Sequence, residues 1–95
     1  MKFKLVNPLK TRHVEPWAEY IQSEKVMEHS QPKASSLAVK KAVECGWFDG
    51  DLPDVDELEP KDVIELATHI YKSYSASMGF DSKNLPARQP TTPKD

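Results

Sequence analysis

Carboxylates are the most concentrated reactive groups in this chain. Of its fifteen acidic residues, Glu44, Asp49, Asp51, Asp54, Asp56, Glu57, Glu59, Asp62 and Glu65 fall within one stretch. A calcium loop would need oxygen ligands at loop positions 1, 3 and 5, glycine at 6 and a bidentate Glu at 12. Counted from Asp49, those places hold Asp51 at 3, Pro53 at 5, Asp54 at 6 and Pro60 at 12. Counted from Asp54, they hold Asp56 at 3, Leu58 at 5 and Glu59 at 6. Both registers fail. A pair such as Asp54 and Asp56 could divide acid and base roles only if its environments separated the two pKa values, and no apolar surroundings for either are visible.

The other reactive side chains form no set. His13, His29 and His69 are widely spaced, with no His-x-x-x-His or Cys/His pattern. Cys45 has neither a CxxC partner nor a glycine-rich approach, which suits a small core residue. The three glycines are isolated, so no phosphate loop exists. The expectation is therefore a protein without catalytic, cofactor-binding or metal-ligating residues. The acids read instead as a wet loop in which Leu52, Val55 and Leu58 turn inward at three-residue intervals.

Composition points the same way. Ninety-five residues make one small domain with little interior to spare for a deep pocket. The net charge of −2 hides a segregation. Residues 1–41 carry eight Lys/Arg and four Asp/Glu, residues 42–65 one and nine, and residues 66–95 four and two. Such blocks favour complementary partners or self-association. A duplex-binding module would present a clustered basic stripe and a basic overall balance, so the pattern argues against nucleic acid. Apolar runs are too short for a membrane span, the first residues lack the apolar core of a signal peptide, and Cys45 stands alone. The expected setting is a cytoplasm.

The elements that would place these side chains are mostly helices. "KFKLV" alternates charge with Phe3 and Leu5 as a short half-buried strand does, and Asn7-Pro8 ends it. No second strand is evident, so this arm is expected to be an irregular lead-in or to pair with another chain. A first helix should open near Glu15 or Pro16, with Thr11 an earlier alternative cap, and carry Trp17, Tyr20, Ile21 and Met27 on one face. A second should start between Lys33 and Ser36, bury Leu37, Ala38, Ala42 and Cys45 with Val39 and Val43 beside them, and end at Gly46. It should be the most buried element. The third should open at Pro60 behind Glu59 or Asp56, carry Val63, Leu66, Ala67, Ile70, Tyr74 and Met78, and stop at Gly79.

The reading is thus an all-α, three-helix domain: an extended arm over 1–10, a helical domain over 11–80, and a tail over 81–95 whose prolines and scarce apolar residues predict disorder. Trp17, Trp47, Tyr74 and Phe80 are needed for the core of so small a bundle. Tyr71 lies off the main stripe of the third helix. Phe3, Leu5 and Tyr71 are therefore the candidate partner-binding residues.

Between Pro8 and Met78 the chain also resembles a known group. A helix ending "VKKAVECGWFDG" and followed by "LPDVDELEPKDVIELATHIYKSY" is similar to small phage-encoded tail assembly chaperones. In these an A-x-x-x-GW helix end precedes a VD-D/E-L-x-P-x-x-V-x-x-LA-x-x-I helix start. The matching positions are Ala42, Gly46, Trp47, Val55, Asp56, Leu58, Pro60, Val63, Leu66, Ala67 and Ile70. All of them are also required by turn and core packing. The resemblance implies a protein of the host cytoplasm that binds the tape measure protein or other tail proteins during assembly, without catalysis or cofactor. A ring or connector subunit of the particle, with the arm reaching a neighbouring copy as a homo-oligomer, or a small regulatory module, would fit the same features.

Overall fold

The computed structural model describes residues 3–79; the tail expected over 81–95, and Phe80 as a core residue, lie outside them. The chain is mostly helical, with three helices and a two-stranded sheet. In order, strand β1 (Lys4–Leu5) leads into helix α1 (Thr11–Ser23). Helix α2 (Gln31–Glu44), strand β2 (Phe48–Asp49) and helix α3 (Pro60–Ser77) come next. Single 3₁₀ turns at Val26–Glu28 and Val55–Glu57 lie in the two long connections. Among the described residues, no helix is long and apolar enough to cross a membrane.

Helix α2 is the centre, packed against α1, α3 and both 3₁₀ turns. Its buried face is Ser35, Ala38, Val39 and Ala42, while Leu37, Val43 and Cys45 are half-buried, so the stripe is rotated from the one expected. Small residues at the crossing let two neighbours approach closely. The helix also starts earlier than expected, at Gln31, because Pro32 falls in the first turn, where its missing N–H interrupts no hydrogen bond.

Helix α2 ends in a Schellman arrangement. Gly46 takes φ 79°, its N–H donates to the Val43 carbonyl, and the Trp47 N–H donates to the Ala42 carbonyl. A Cβ at Gly46 would meet only His13 Cδ2, at 3.9 Å, so the glycine is required by the left-handed backbone and not by crowding. The motif throws Trp47 back over the bundle.

Both tryptophans are then fully buried. Trp47 donates its indole N–H to the His13 carbonyl of α1 at 2.6 Å, and Trp17 of α1 donates its own to the Ala38 carbonyl of α2 at 3.0 Å. Their rings lie 4.9 Å apart, tilted by 42°. Trp17 also packs on Tyr71 and Tyr74 of α3, with centroids at 5.3 and 5.2 Å. One aromatic cluster therefore holds all three helices, each indole satisfying its polar edge as it leaves water.

Three expectations need correction. Helix α1 begins at Thr11, a full turn before Pro16, which sits inside the helix. The proline removes the N–H that would reach Arg12, but the first turn is fastened independently by the bond from the Lys10 N–H to the His13 ring and by Trp47 on the His13 carbonyl. Met27 does not extend the face of α1. That helix stops at Ser23, Lys25 adopts a left-handed φ of 52°, and the reversal buries Val26 while leaving Met27 68% exposed. Finally, a second strand does exist: β1 pairs antiparallel with β2, Lys4 opposite Asp49 and Leu5 opposite Phe48, so the arm is an intramolecular strand. The Val6 N–H extends the pairing to the Trp47 carbonyl. The expected start of α3 and its stripe through Val63, Leu66, Ala67 and Ile70 stand behind Glu59 and Pro60, but Tyr74 is only half-buried and Met78, just past the helix end, is 48% exposed.

Replacing Trp17 with Ala should cost about 3–5 kcal/mol, close to the whole stability of a small domain. Trp47→Phe, which keeps most of the volume but loses the indole bond into α1, should cost only about 1–2 kcal/mol. Gly46→Ala should cost about 1–2 kcal/mol from the left-handed backbone alone. Urea denaturation of the three variants checks the order.

Candidate functional site

The acidic stretch forms no metal-holding cluster among the described residues. Asp49, Asp51, Asp54, Asp56, Glu57 and Glu59 are all exposed. Asp56 reaches Lys40 of α2 at 2.9 Å and Glu59 reaches Lys61 at 3.7 Å, solvated pairs worth little to stability. Among the described residues no three His, Cys, Asp or Glu side chains converge as metal ligands must. Of the loop's apolar residues Val55 is buried, Leu58 half-buried and Leu52 58% exposed, so only part of the loop turns inward.

Cys45 is partly exposed at the end of α2, and burial pushes its thiol pKa up, with Glu44 adding to the effect and Lys41 opposing it. A nucleophilic cysteine needs the opposite shift. His13 is buried, whereas His29 and His69 lie exposed on other elements.

Of the candidate partner-binding residues, Phe3 packs edge-on against Phe48, with centroids 6.4 Å apart, and is half-buried. Leu5 stands opposite Phe48 in the sheet. Tyr71 is less free than its position off the stripe suggests. Its ring meets Trp17 at 68°, its hydroxyl donates to the Met27 sulfur at 3.1 Å, and burial raises its pKa. It ties α3 to α1 and to the 3₁₀ turn beyond it. Part of its area is core.

What the structure brings together instead is a groove. Helices α1 and α3 both lie on α2 and meet each other through Trp17 and the two tyrosines. Beyond that junction they leave a space of about 430 Å³ whose walls include Leu9, Val14, Ala18, Tyr74 and Met78, with Lys10 and Glu15 at the α1 side. Met78 is 48% exposed at its edge. A second space of about 560 Å³ adjoins it along Leu9 and Ser77, lying between the arm at Leu5, Val6, Asn7 and Pro8 and the small residues Ser73 and Ala76 of α3. The arm thus forms one wall because its pairing with β2 holds it beside the last turns of α3. Leu5 belongs to this wall; Phe3 and Tyr71 are not among the lining residues.

Sequence reasoning misses Leu9, Ala18, Ser73 and Ala76 as lining residues. The only available signal is the run of small residues Ser73, Ser75, Ala76 and Ser77 beside the apolar stripe of α3, which shows where a surface could be approached closely but not by what.

Comparison with protein-family models, curated proteins and solved structures finds no match for this chain.

Two outcomes test this geometry. Phe3→Asp combined with Leu5→Asp should destabilise the folded monomer by about 2–3 kcal/mol, since two half-buried apolar side chains lose their contacts. Near-ultraviolet circular dichroism during urea unfolding measures it. In calorimetry the loop from Asp49 to Glu59 should show no stoichiometric micromolar calcium binding, because neither register offers the position-5 oxygen or the position-6 glycine.

Proposed function

We propose that this chain is a non-enzymatic protein-binding protein, a phage tail assembly chaperone that holds an apolar segment of a tape measure protein until tail assembly consumes it. The observation that supports this reading is the groove between α1 and α3, continued along the arm. It combines apolar walls with small, polar-edged residues on α3, the surface that an amphipathic helix or extended segment uses when docking its apolar face. The tape measure protein is the occupant by the resemblance of the Ala42 to Ile70 region. Charge complementarity constrains it further: with Lys10 and Glu15 of opposite sign on the α1 rim, an occupant carrying charges of both signs beside its apolar face would be oriented in the groove. The segregated acidic and basic blocks of the chain would steer encounter.

A connector subunit fits less directly. Its neighbour contact was to be the arm, and the arm is paired with β2 of its own chain.

Co-expression with a tape measure protein from the same tail gene cluster, followed by affinity isolation, tests the proposal. Ala18→Glu and Ser77→Glu place a charge in the groove from opposite sides, and both positions lie outside the fully buried core. Each should lower retention of the tape measure protein at least about tenfold, a loss of ~1.4 kcal/mol, and the exposed Ser77→Glu should do so with its unfolding free energy within ~0.5 kcal/mol of the parent. Undiminished retention by both variants would remove the groove as the binding surface.

A further inference from the structure

Helix α1 opens with an unusual cap. The His13 N–H donates to the Lys10 carbonyl at 2.8 Å, and in return the Lys10 N–H donates to His13 Nδ1 at 3.0 Å. The second bond is the return arm of a capping box, with imidazole in the place ordinarily held by Glu or Gln. Because Nδ1 accepts, the neutral ring must carry its proton on Nε2.

That arrangement has no tolerance for a second proton. A proton on Nδ1 would point one donor at another, and it would place a positive charge at the positive end of the α1 dipole. Among the described residues, the charges that bear on the ring are those of Arg12 and Lys10, both positive. The α2–β2 turn meets it through Gly46 and Trp47, neither of which ionises. The main chain at His13 is meanwhile held by the Trp47 indole on its carbonyl.

We propose that His13 is an acid-sensitive latch: protonation at Nδ1 breaks its bond to the Lys10 N–H and frees the joint between the N-terminal arm and α1. Leu9 and Lys10, which form that joint, also line the groove, so acidification loosens one of its walls. The latch itself stands whether or not the groove holds a partner.

Burial first, then Arg12 and Lys10, lower the His13 pKa from its ordinary 6.5. A lowered folded value means that the unfolded or opened chain binds the extra proton more readily. The contribution to stability is therefore complete above pH 6.5 and declines as pH falls below it, until the folded state also takes up the proton. The joint should open by a factor of about ten for each pH unit by which the closed form holds the proton less tightly.

Two nuclear magnetic resonance measurements on the full chain test this. Imidazole ¹⁵N shifts should show Nδ1 unprotonated and accepting at pH 7, with protonation below the ordinary histidine value. Protection of the Lys10 amide against hydrogen exchange, corrected for intrinsic pH dependence, should fall on acidification in the parent. It should stay level in His13→Gln, whose amide oxygen can accept the same bond without titrating. An identical fall in both proteins overturns the latch. So does a His13 Nδ1 that carries a proton at neutral pH, and this second measurement needs no variant to fold.

Discussion

Two buried indole N–H groups determine how this bundle is joined. Each tryptophan is large enough to supply much of a small core, but neither can be buried unless its N–H finds an acceptor. Both find carbonyls on a neighbouring helix: Trp17 on Ala38 of α2 and Trp47 on His13 of α1. Those bonds fix the rotation of α1 on α2, and the aromatic contacts of Trp17 with Tyr71 and Tyr74 fix α3 against the same point. The Schellman end of α2, with Gly46 in the left-handed region, is what delivers Trp47 to its place. The turn and the core are therefore one device.

The groove is a consequence of that concentration. A chain of ninety-five residues has few large side chains, and this one gathers both tryptophans and two of its three tyrosines at one junction. Helices α1 and α3 meet through Trp17, and a space lined by Val14, Ala18, Tyr74 and Met78 is left open between them. The N-terminal arm partly fills the opening because β2 gives it a strand to pair with. A surface formed in this way is apolar without being sealed, which is the physical basis of the binding reading. Burial elsewhere pushes Cys45 and Tyr71 towards their neutral forms.

Much of the fold is legible because it is local. Glu59 and Pro60 open α3, Gly46 and Gly79 stand at φ 79° and 84° beyond the ends of α2 and α3, and the stripe Val63, Leu66, Ala67 and Ile70 is buried as its spacing requires. Trp47 is identifiable as a core residue because a glycine turn at the end of an apolar helix folds the next large side chain back onto that helix. The misplaced elements share the opposite property. Phe48–Asp49 is too short to show alternation, and it becomes a strand only when the arm lies beside it. Pro16 reads as a helix start until one knows that His13 and Trp47 secure an earlier turn. Met27 reads as part of the α1 stripe until Lys25 reverses the chain and exchanges it for Val26.

The sequence by itself determined three helices, the C-terminal end of α2, both ends of α3 and the buried stripe of α3 from Val63 to Ile70, since these depend on neighbours within a turn or two. Only the tertiary structure decided that the arm pairs within its own chain, that Tyr71 leans on Trp17, and that a groove lined by Leu9, Ala18 and Ser77 lies between α1 and α3. These features depend on which distant surfaces meet once α2 has turned back at Gly46. Hydrophobic spacing states that a face will be covered. It does not state by what, because burial is non-directional and the partner is selected by the shape and hydrogen bonding of the assembled core.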